Sequence, residues 1–281
     1  MTGPRRAAVL GSPIAHSLSP VLHRAAYEVL GLDLRYDAYD VNAQGLGTFL
    51  DACGPDWVGV SLTMPLKEAV LPLLDQRSGT VELARAANTV ILVDGRRIGH
   101  NTDVPGLTLA LQHGAPHLGV PAGATVLGAG ATARSAVVAL GRLGVRTIEV
   151  VARRVEVVAD LAEVGTRVGA AVVAVPWSAS APALSADLVV STVPGDSAAE
   201  LTGEVPWHPG VLLDVVYDPW PTSLATGWSD AGGTVVPGLE LLVQQAALQV
   251  ELMTGCSAPV EVMRTAGERA LDARGGGAPS A

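Results

Sequence analysis

The chain has 281 residues, 49% of them hydrophobic, enough to bury a sizeable core and to form two domains. A formal net charge of −9, with basic residues that do not cluster beyond Arg153-Arg154, argues against a nucleic-acid footprint. No stretch approaches the roughly 20 apolar residues of a membrane span. The apolar run from Ala7 to Leu10 is too short for a signal-peptide core and is broken by Gly11-Ser12-Pro13. Cys53 and Cys256 lie far apart without metal-ligand spacing, which suits a reducing compartment, so a cytoplasmic protein is expected.

Ala7 to Leu10 reads as a buried strand. Ser19 followed by Pro20 predicts a helix start, with the hydroxyl at the N-cap and proline at the first helical position; the helix runs to about Leu30 and stops at Gly31. Ser19 then caps the helix, meets a carboxylate at its N-terminus, or does both. A strand over 34–41, a helix over 45–52 and a strand over 57–60 follow, and this alternation predicts an α/β fold. The loop from Ser61 to Lys67 falls at the carboxyl end of a strand, where open α/β sheets place ligands. Lys67 is either a solvated first-turn lysine or a functional one, since a helix N-terminus disfavours a cation.

A strand over 90–93 turns at Asp94-Gly95 into a second over 97–99. Thr102 or Asp103 can cap a helix reaching Gln112. The turn-rich stretch over 114–123 joins the two halves. His113 and His117 are separated by helix-breaking Gly114 and Pro116, so they receive no ligand role, and no metal site is expected.

The second half is organised around a strand over 124–127, the tight turn Gly128-Ala129-Gly130, and a helix from Ala133. Gly128 suits the turn, Gly130 lets the backbone approach a pyrophosphate, and Ala133 allows close helix-to-strand packing; the anion rests on the helix N-terminus. Such a turn is as often plain packing. Here the unit continues into a strand over 147–151, at the spacing of about 20 residues that a βαβ unit demands. That strand ends Ala152-Arg153-Arg154, without the acidic residue of an NAD site. Two guanidiniums there can clamp a 2′-phosphate, or they are a solvated pair; with the glycine turn upstream, NADP is expected. A helix over 155–164, strands over 170–175 and 188–191, a strand and loop over 211–220 and a strand over 234–236 complete the pattern. The strand ending at Ser191 runs into Thr192-Val193-Pro194-Gly195. Gly238 begins a helix reaching Thr254 in which Gln244 and Gln245 are buried, so each must bond either a core backbone group or a substrate hydroxyl. The tail over 275–281 reads as disordered.

Seven motifs recur in order: Ser17-Leu18-Ser19-Pro20, Thr63-Met64-Pro65-Leu66-Lys67, Ala87-Asn88-Thr89, Asn101-Thr102-Asp103, Gly128-Ala129-Gly130, Asp214-Val215-Val216-Tyr217 and Gln245-Ala246. In this series the chain resembles the shikimate dehydrogenase family over almost its whole length. The resemblance implies reversible, NADPH-dependent reduction of 3-dehydroshikimate to shikimate, on the route to chorismate and the aromatic amino acids. It implies two domains: an α/β substrate domain with a mostly parallel sheet over 1–104, completed by helices over 238–274, and a Rossmann-type NADP domain over 105–237. Lys67 and Asp103 would be the catalytic pair. Ser17, Ser19 and Tyr217 would hold the substrate carboxylate; Thr63, Asn88 and Gln245, with Lys67 and Asp103, would meet the ring hydroxyls. The cofactor would touch Gly128, Ala129, Gly130, Ala131, Thr132, Ala133, Arg153, Arg154, Thr192, Val193, Val216 and Gly238. A small-molecule substrate is the expected partner, for a monomer or homodimer.

The chain departs from the family pattern at Arg24, at Val104-Pro105, at Ala152 and Arg154, and at Leu241, none of them a proposed substrate contact. The alternatives are a quinate/shikimate dehydrogenase using NAD, or a catalytically silent relative that senses a metabolite. Retention of both Lys67 and Asp103 favours an enzyme, because a pure binder needs no proton-transfer group.

Overall fold

A computed structural model describes residues 4–275. The chain divides into two units, one running up to Thr102 and resuming at Leu242, the other Asp103–Leu241. Among the described residues no helix is long and apolar enough to cross a membrane.

The first unit contains β1 (Arg5–Gly11), α1 (Ser19–Val29), β2 (Leu34–Asp40), α2 (Leu46–Asp51), β3 (Trp57–Leu62), α3 (Leu66–Ala69), β4 (Gln76–Arg77), α4 (Gly79–Ala84), β5 (Thr89–Val93) and β6 (Arg96–His100). Its sheet has the order β2-β1-β3-β5-β6-β4. β1 pairs parallel with β2 and β3, β5 runs antiparallel to β3 and β6, and β4 is parallel to β6. All six residues of β3 are buried, as expected for a strand covered on both faces. Leu10, Val60, Leu62, Leu66 and Val90 share the core on one side. The β5–β6 hairpin turns at Asp94 and Gly95, with φ of +51° and +72°, the conformation that an Asp-Gly turn supplies.

Ser19 is not the N-cap of α1. The backbone is already helical at Leu18 (φ −86°, ψ −7°), which occupies that position without a side-chain cap. The Ser19 hydroxyl therefore lies inside the first turn, and Ser17 Oγ accepts the Ser19 N–H at 3.3 Å instead, an i to i+2 serine turn. The sequence pattern also passed over α4. That helix is only six residues long and is held by Ser78, whose hydroxyl accepts the Val81 N–H.

The second unit contains α5 (Asp103–Gly114), β7 (Gly123–Leu127), α6 (Ala131–Leu143), β8 (Thr147–Ala152), α7 (Val158–Arg167), β9 (Ala171–Pro176), β10 (Leu188–Ser191), β11 (Val211–Asp214), α8 (Ser223–Asp230) and β12 (Thr234–Val236). Its six strands are all parallel, in the order β12-β11-β10-β7-β8-β9. This is the dinucleotide-binding arrangement, with the strand order reversing between β7 and β10. Leu127, Val151, Val189, Leu212, Leu224 and Trp228 form a core, and the buried Trp228 indole donates to Gly210 O at 3.0 Å. α7 begins later than its apolar pattern suggests because Val155–Val157 form a tighter 3-10 turn. α8, absent from that pattern, starts at Thr222, whose hydroxyl accepts the Ala225 N–H.

α9 (Gly238–Thr254) carries the division between the units within it, and α10 (Val260–Gly275) packs on α1. Gly275 thus ends a helix rather than opening a tail, while 276–281 lie outside the described residues.

Candidate active site

In the first unit the motif residues gather at the carboxyl ends of β1 and β3 and the start of β5. Thr63 follows β3, and its N–H reaches Leu10 O at 2.9 Å. Lys67 lies in α3, half-buried, and its carbonyl accepts the Ala87 N–H at 2.8 Å; the Asn88 carbonyl accepts the Leu62 N–H at 2.7 Å. Backbone bonds therefore tie the segments carrying Thr63, Lys67 and Asn88 to one another. Ser17 and Ser19 sit where β1 leads into α1, joined by the turn described above.

Asn88 is the hub of a buried polar group. Its Oδ1 accepts from Thr102 N at 2.8 Å and from Thr89 Oγ1 at 3.0 Å. Its Nδ2 donates to Thr102 Oγ1 at 2.9 Å and to Gln245 Oε1 at 3.3 Å. Gln245 donates in turn to Leu242 O at 2.8 Å. Of the two partners expected for a buried glutamine, the structure supplies a helix carbonyl, together with a side chain that sequence did not indicate. One turn further along α9, Gln249 is buried and donates to Thr89 Oγ1 at 3.0 Å while accepting from Ser61 Oγ at 2.8 Å. Its i+4 spacing from Gln245 was the available sequence signal.

Close by, His23 lies wholly buried, stacked on Tyr36 with ring centroids 3.8 Å apart. Its Nδ1 bonds Ser19 O at 2.9 Å, and Nε2 has no hydrogen-bond partner among the described residues. Because a carbonyl can only accept, Nδ1 carries the proton of the neutral ring. Burial lowers the His23 pKa to about 4, against a smaller opposing effect from the Ser19 carbonyl.

In the second unit Asp103 is the first residue of α5 and is buried. The glycine turn leads from β7 into α6. Gly128 has φ +101°, and a Cβ there would stand 2.7 Å from Thr192 Oγ1 and 3.2 Å from Val193 Cγ1, so the strand-end loops after β7 and β10 meet only because this residue is glycine. Thr192 Oγ1 donates to Leu127 O at 2.7 Å. Gly130 occupies the N-cap of α6 with extended backbone and open space where a Cβ would be, and Ala133 is fully buried. Ala131, Thr132 and Ala133 then form the first turn of a 13-residue helix whose cap has no side chain, a fit for a pyrophosphate.

Arg153 follows the end of β8 and Arg154 is exposed beside it. The Arg153 guanidinium lies 5.3 Å from the Trp177 ring centroid, 3.8 Å from Glu200 Oε1, and donates to Ser197 O at 3.3 Å. Trp177 Nε1 donates to the same Glu200 carboxylate. The arginine is thereby aimed by an aromatic and an acidic neighbour that local sequence did not reveal. After β11, Val216 N donates to Asp214 Oδ1 at 3.2 Å, and Thr222 Oγ1 to Oδ2 at 2.7 Å. Burial raises the Asp214 pKa, partly offset by these hydrogen bonds. Tyr217 is half-buried in this loop, and a Cβ on Gly238 would overlap the Val215 and Val216 carbonyl oxygens.

The parallel sheet with its glycine turn is that of a Rossmann-type dinucleotide-binding protein, joined in one chain to a second α/β unit that gathers polar side chains. Residues 9–90 match the family model described as the shikimate dehydrogenase substrate binding domain, and residues 238–266 that of the shikimate 5′-dehydrogenase C-terminal domain. Shikimate dehydrogenase (NADP(+)) of Symbiobacterium thermophilum is 37% identical over 278 residues, covering 94% of each chain. The crystal structure of Mycobacterium tuberculosis shikimate dehydrogenase is 44% identical, spans 95% of this chain and 100% of its own, and superposes with a TM-score of 0.86. The Thermus thermophilus shikimate 5-dehydrogenase structure, in complex with NADP(H) and shikimate, is 36% identical over 95% and 100% of the two chains, with a TM-score of 0.84. The chain belongs to the shikimate dehydrogenase family.

Proposed function

We propose that this protein is an NADP-dependent shikimate dehydrogenase, reducing 3-dehydroshikimate to shikimate and catalysing the reverse reaction. The observation that carries this reading is the grouping of Asn88, Thr102 and Gln245 by hydrogen bonds from separate segments, with Thr102 the residue before Asp103, in a chain whose relatives bear that name. A cytoplasmic location belongs to the same reading and is supported by two free cysteines.

In this mechanism the bound cofactor supplies hydride to the ketone carbon. As the carbonyl carbon gains hydride its oxygen gains negative charge, and the Lys67 ammonium neutralises it by donating a proton; in the oxidising direction the amine takes the proton back. Asp103 accepts a hydrogen bond from a ring hydroxyl. Ser17, Ser19 and Tyr217 bind the carboxylate through hydroxyl donors, and Thr63, Asn88 and Gln245 orient the remaining hydroxyls, which restricts the ketone to one approach. The first turn of α6 takes the pyrophosphate, and Arg153 with Arg154 takes the 2′-phosphate; Thr192, Val193, Val216 and Gly238 line the cofactor's path. The test is loss of NADPH absorbance with 3-dehydroshikimate, run beside NADH and beside quinate oxidation. Turnover with NADPH is expected; activity confined to NADH or to quinate would overturn the proposal.

A further inference from the structure

We infer that Thr89 and Gln249 are positioning residues: they fix the direction of the Asn88 amide and so decide which hydrogen-bonding group Asn88 offers to a substrate hydroxyl. The inference rests on the proposed role of Asn88 in substrate binding.

Five donors in series point the same way. Tyr36 O–H donates to Ser61 Oγ at 2.7 Å, Ser61 O–H to Gln249 Oε1 at 2.8 Å, and Gln249 Nε2 to Thr89 Oγ1 at 3.0 Å. Thr89 O–H then donates to Asn88 Oδ1 at 3.0 Å, and Asn88 Nδ2 to Gln245 Oε1 at 3.3 Å. Asn88, Thr89 and Gln249 are each no more than 1% exposed, so water does not substitute for a missing link. A hydroxyl has a single proton. Once Gln249 nitrogen donates to Thr89, the Thr89 proton is free for Asn88 Oδ1.

The direction is set by backbone groups that cannot reverse. Gln249 Nε2 also faces Asn88 O at 3.4 Å, an obligate acceptor, and Asn88 Oδ1 faces Thr102 N at 2.8 Å, an obligate donor. Gln249 Nε2 donates both to Asn88 O and to Thr89 Oγ1, and the Thr89 hydroxyl donates to Asn88 Oδ1, so each bond of this ring has a fixed direction. Turning the Asn88 amide over would set its N–H groups against two donors, a loss that a buried site cannot recover from solvent. Asn88 is thus held with its nitrogen toward Thr102 Oγ1 and Gln245 Oε1, and a ligand oxygen that takes the place of Gln245 Oε1 must accept. Neither Thr89 nor Gln249 has to touch substrate for this to hold.

Thr89→Val keeps the side-chain shape and removes the hydroxyl, whereas Thr89→Ser keeps the hydroxyl and removes a methyl. Thr89→Val should raise the KM and Kd for shikimate about 2- to 10-fold, the range set by one neutral hydrogen bond, with the KM for NADP unchanged; Thr89→Ser should stay near the parent on both. Should Thr89→Val fail to fold, Gln249→Met carries the same expectation. Equal KM shifts in Thr89→Val and Thr89→Ser, or lower melting temperatures without any shikimate shift in Thr89→Val and Gln249→Met, would overturn the inference. Asn88→Ala separates the two levels: no change in shikimate KM there defeats the substrate-binding reading itself, whereas a rise there with none in Thr89→Val defeats only the positioning role.

Discussion

Asn88 Nδ2 donates to Gln245 Oε1 at 3.3 Å across 157 residues of sequence. The two differ in what depends on them. Asn88 serves Thr102 N, Thr102 Oγ1, Thr89 Oγ1 and Gln245, whereas Gln245 adds the carbonyl of its own helix at Leu242. Asn88→Ala should therefore cost about 2 kcal/mol of stability and Gln245→Ala about 1 kcal/mol, because more buried groups lose partners in the first case. Urea unfolding at unchanged m-value measures both.

Ser17→Ala should raise the shikimate KM and also reduce stability by about 0.5–1 kcal/mol, since its hydroxyl accepts the Ser19 N–H at the start of α1. A mutant with reduced melting temperature and unaltered KM would restrict Ser17 to the turn.

Lys67→Met preserves side-chain length and removes the charge. Turnover should fall roughly 100-fold or more, the range for losing a positioned acid or base, with shikimate binding less affected. Near-normal kcat with a raised KM would make Lys67 a binding residue.

Arg153→Ala should raise the KM for NADPH far more than that for NADH, because NADH carries no 2′-phosphate for the guanidinium to meet. Trp177→Leu should act in the same direction but more weakly, through loss of the ring 5.3 Å from the guanidinium. Equal losses with both cofactors would remove Arg153 from the 2′-phosphate site.

His23 makes stability depend on pH. Its folded pKa, about 4, lies below the ordinary 6.5, so between those values the unfolded chain binds more protons than the folded one. Its contribution is fully present above about pH 6.5 and is lost as pH falls toward about 4, amounting to about 3 kcal/mol at 1.36 kcal/mol per unit. His23→Gln should flatten the melting temperature across that window; a slope equal to the parent's would assign the acid sensitivity elsewhere.

Sequence by itself determined what depends on neighbours in the chain: the alternation of strands and helices, the Asp94-Gly95 hairpin, the glycine turn before α6 and the arginine pair after β8. Each is set by backbone preference within a few residues, and family resemblance extended these local marks to candidate roles. The same local reasoning placed Ser19 at a cap, because it could not tell that Leu18 is already helical. Short helices such as α4 and α8 escaped it, since one or two turns carry little periodicity. Only the tertiary structure decided that Asn88 faces Gln245, that Gln249 and Ser61 stand behind Thr89, that Arg153 lies beside Trp177 and Glu200, and that His23 is buried against Tyr36. The pairings of Asn88 with Gln245 and of Thr89 and Ser61 with Gln249 join strand and helix segments that the topology brings together from distant parts of the chain. In the Asn88 and His23 groups burial then makes each bond matter, because no water is there to replace a missing partner.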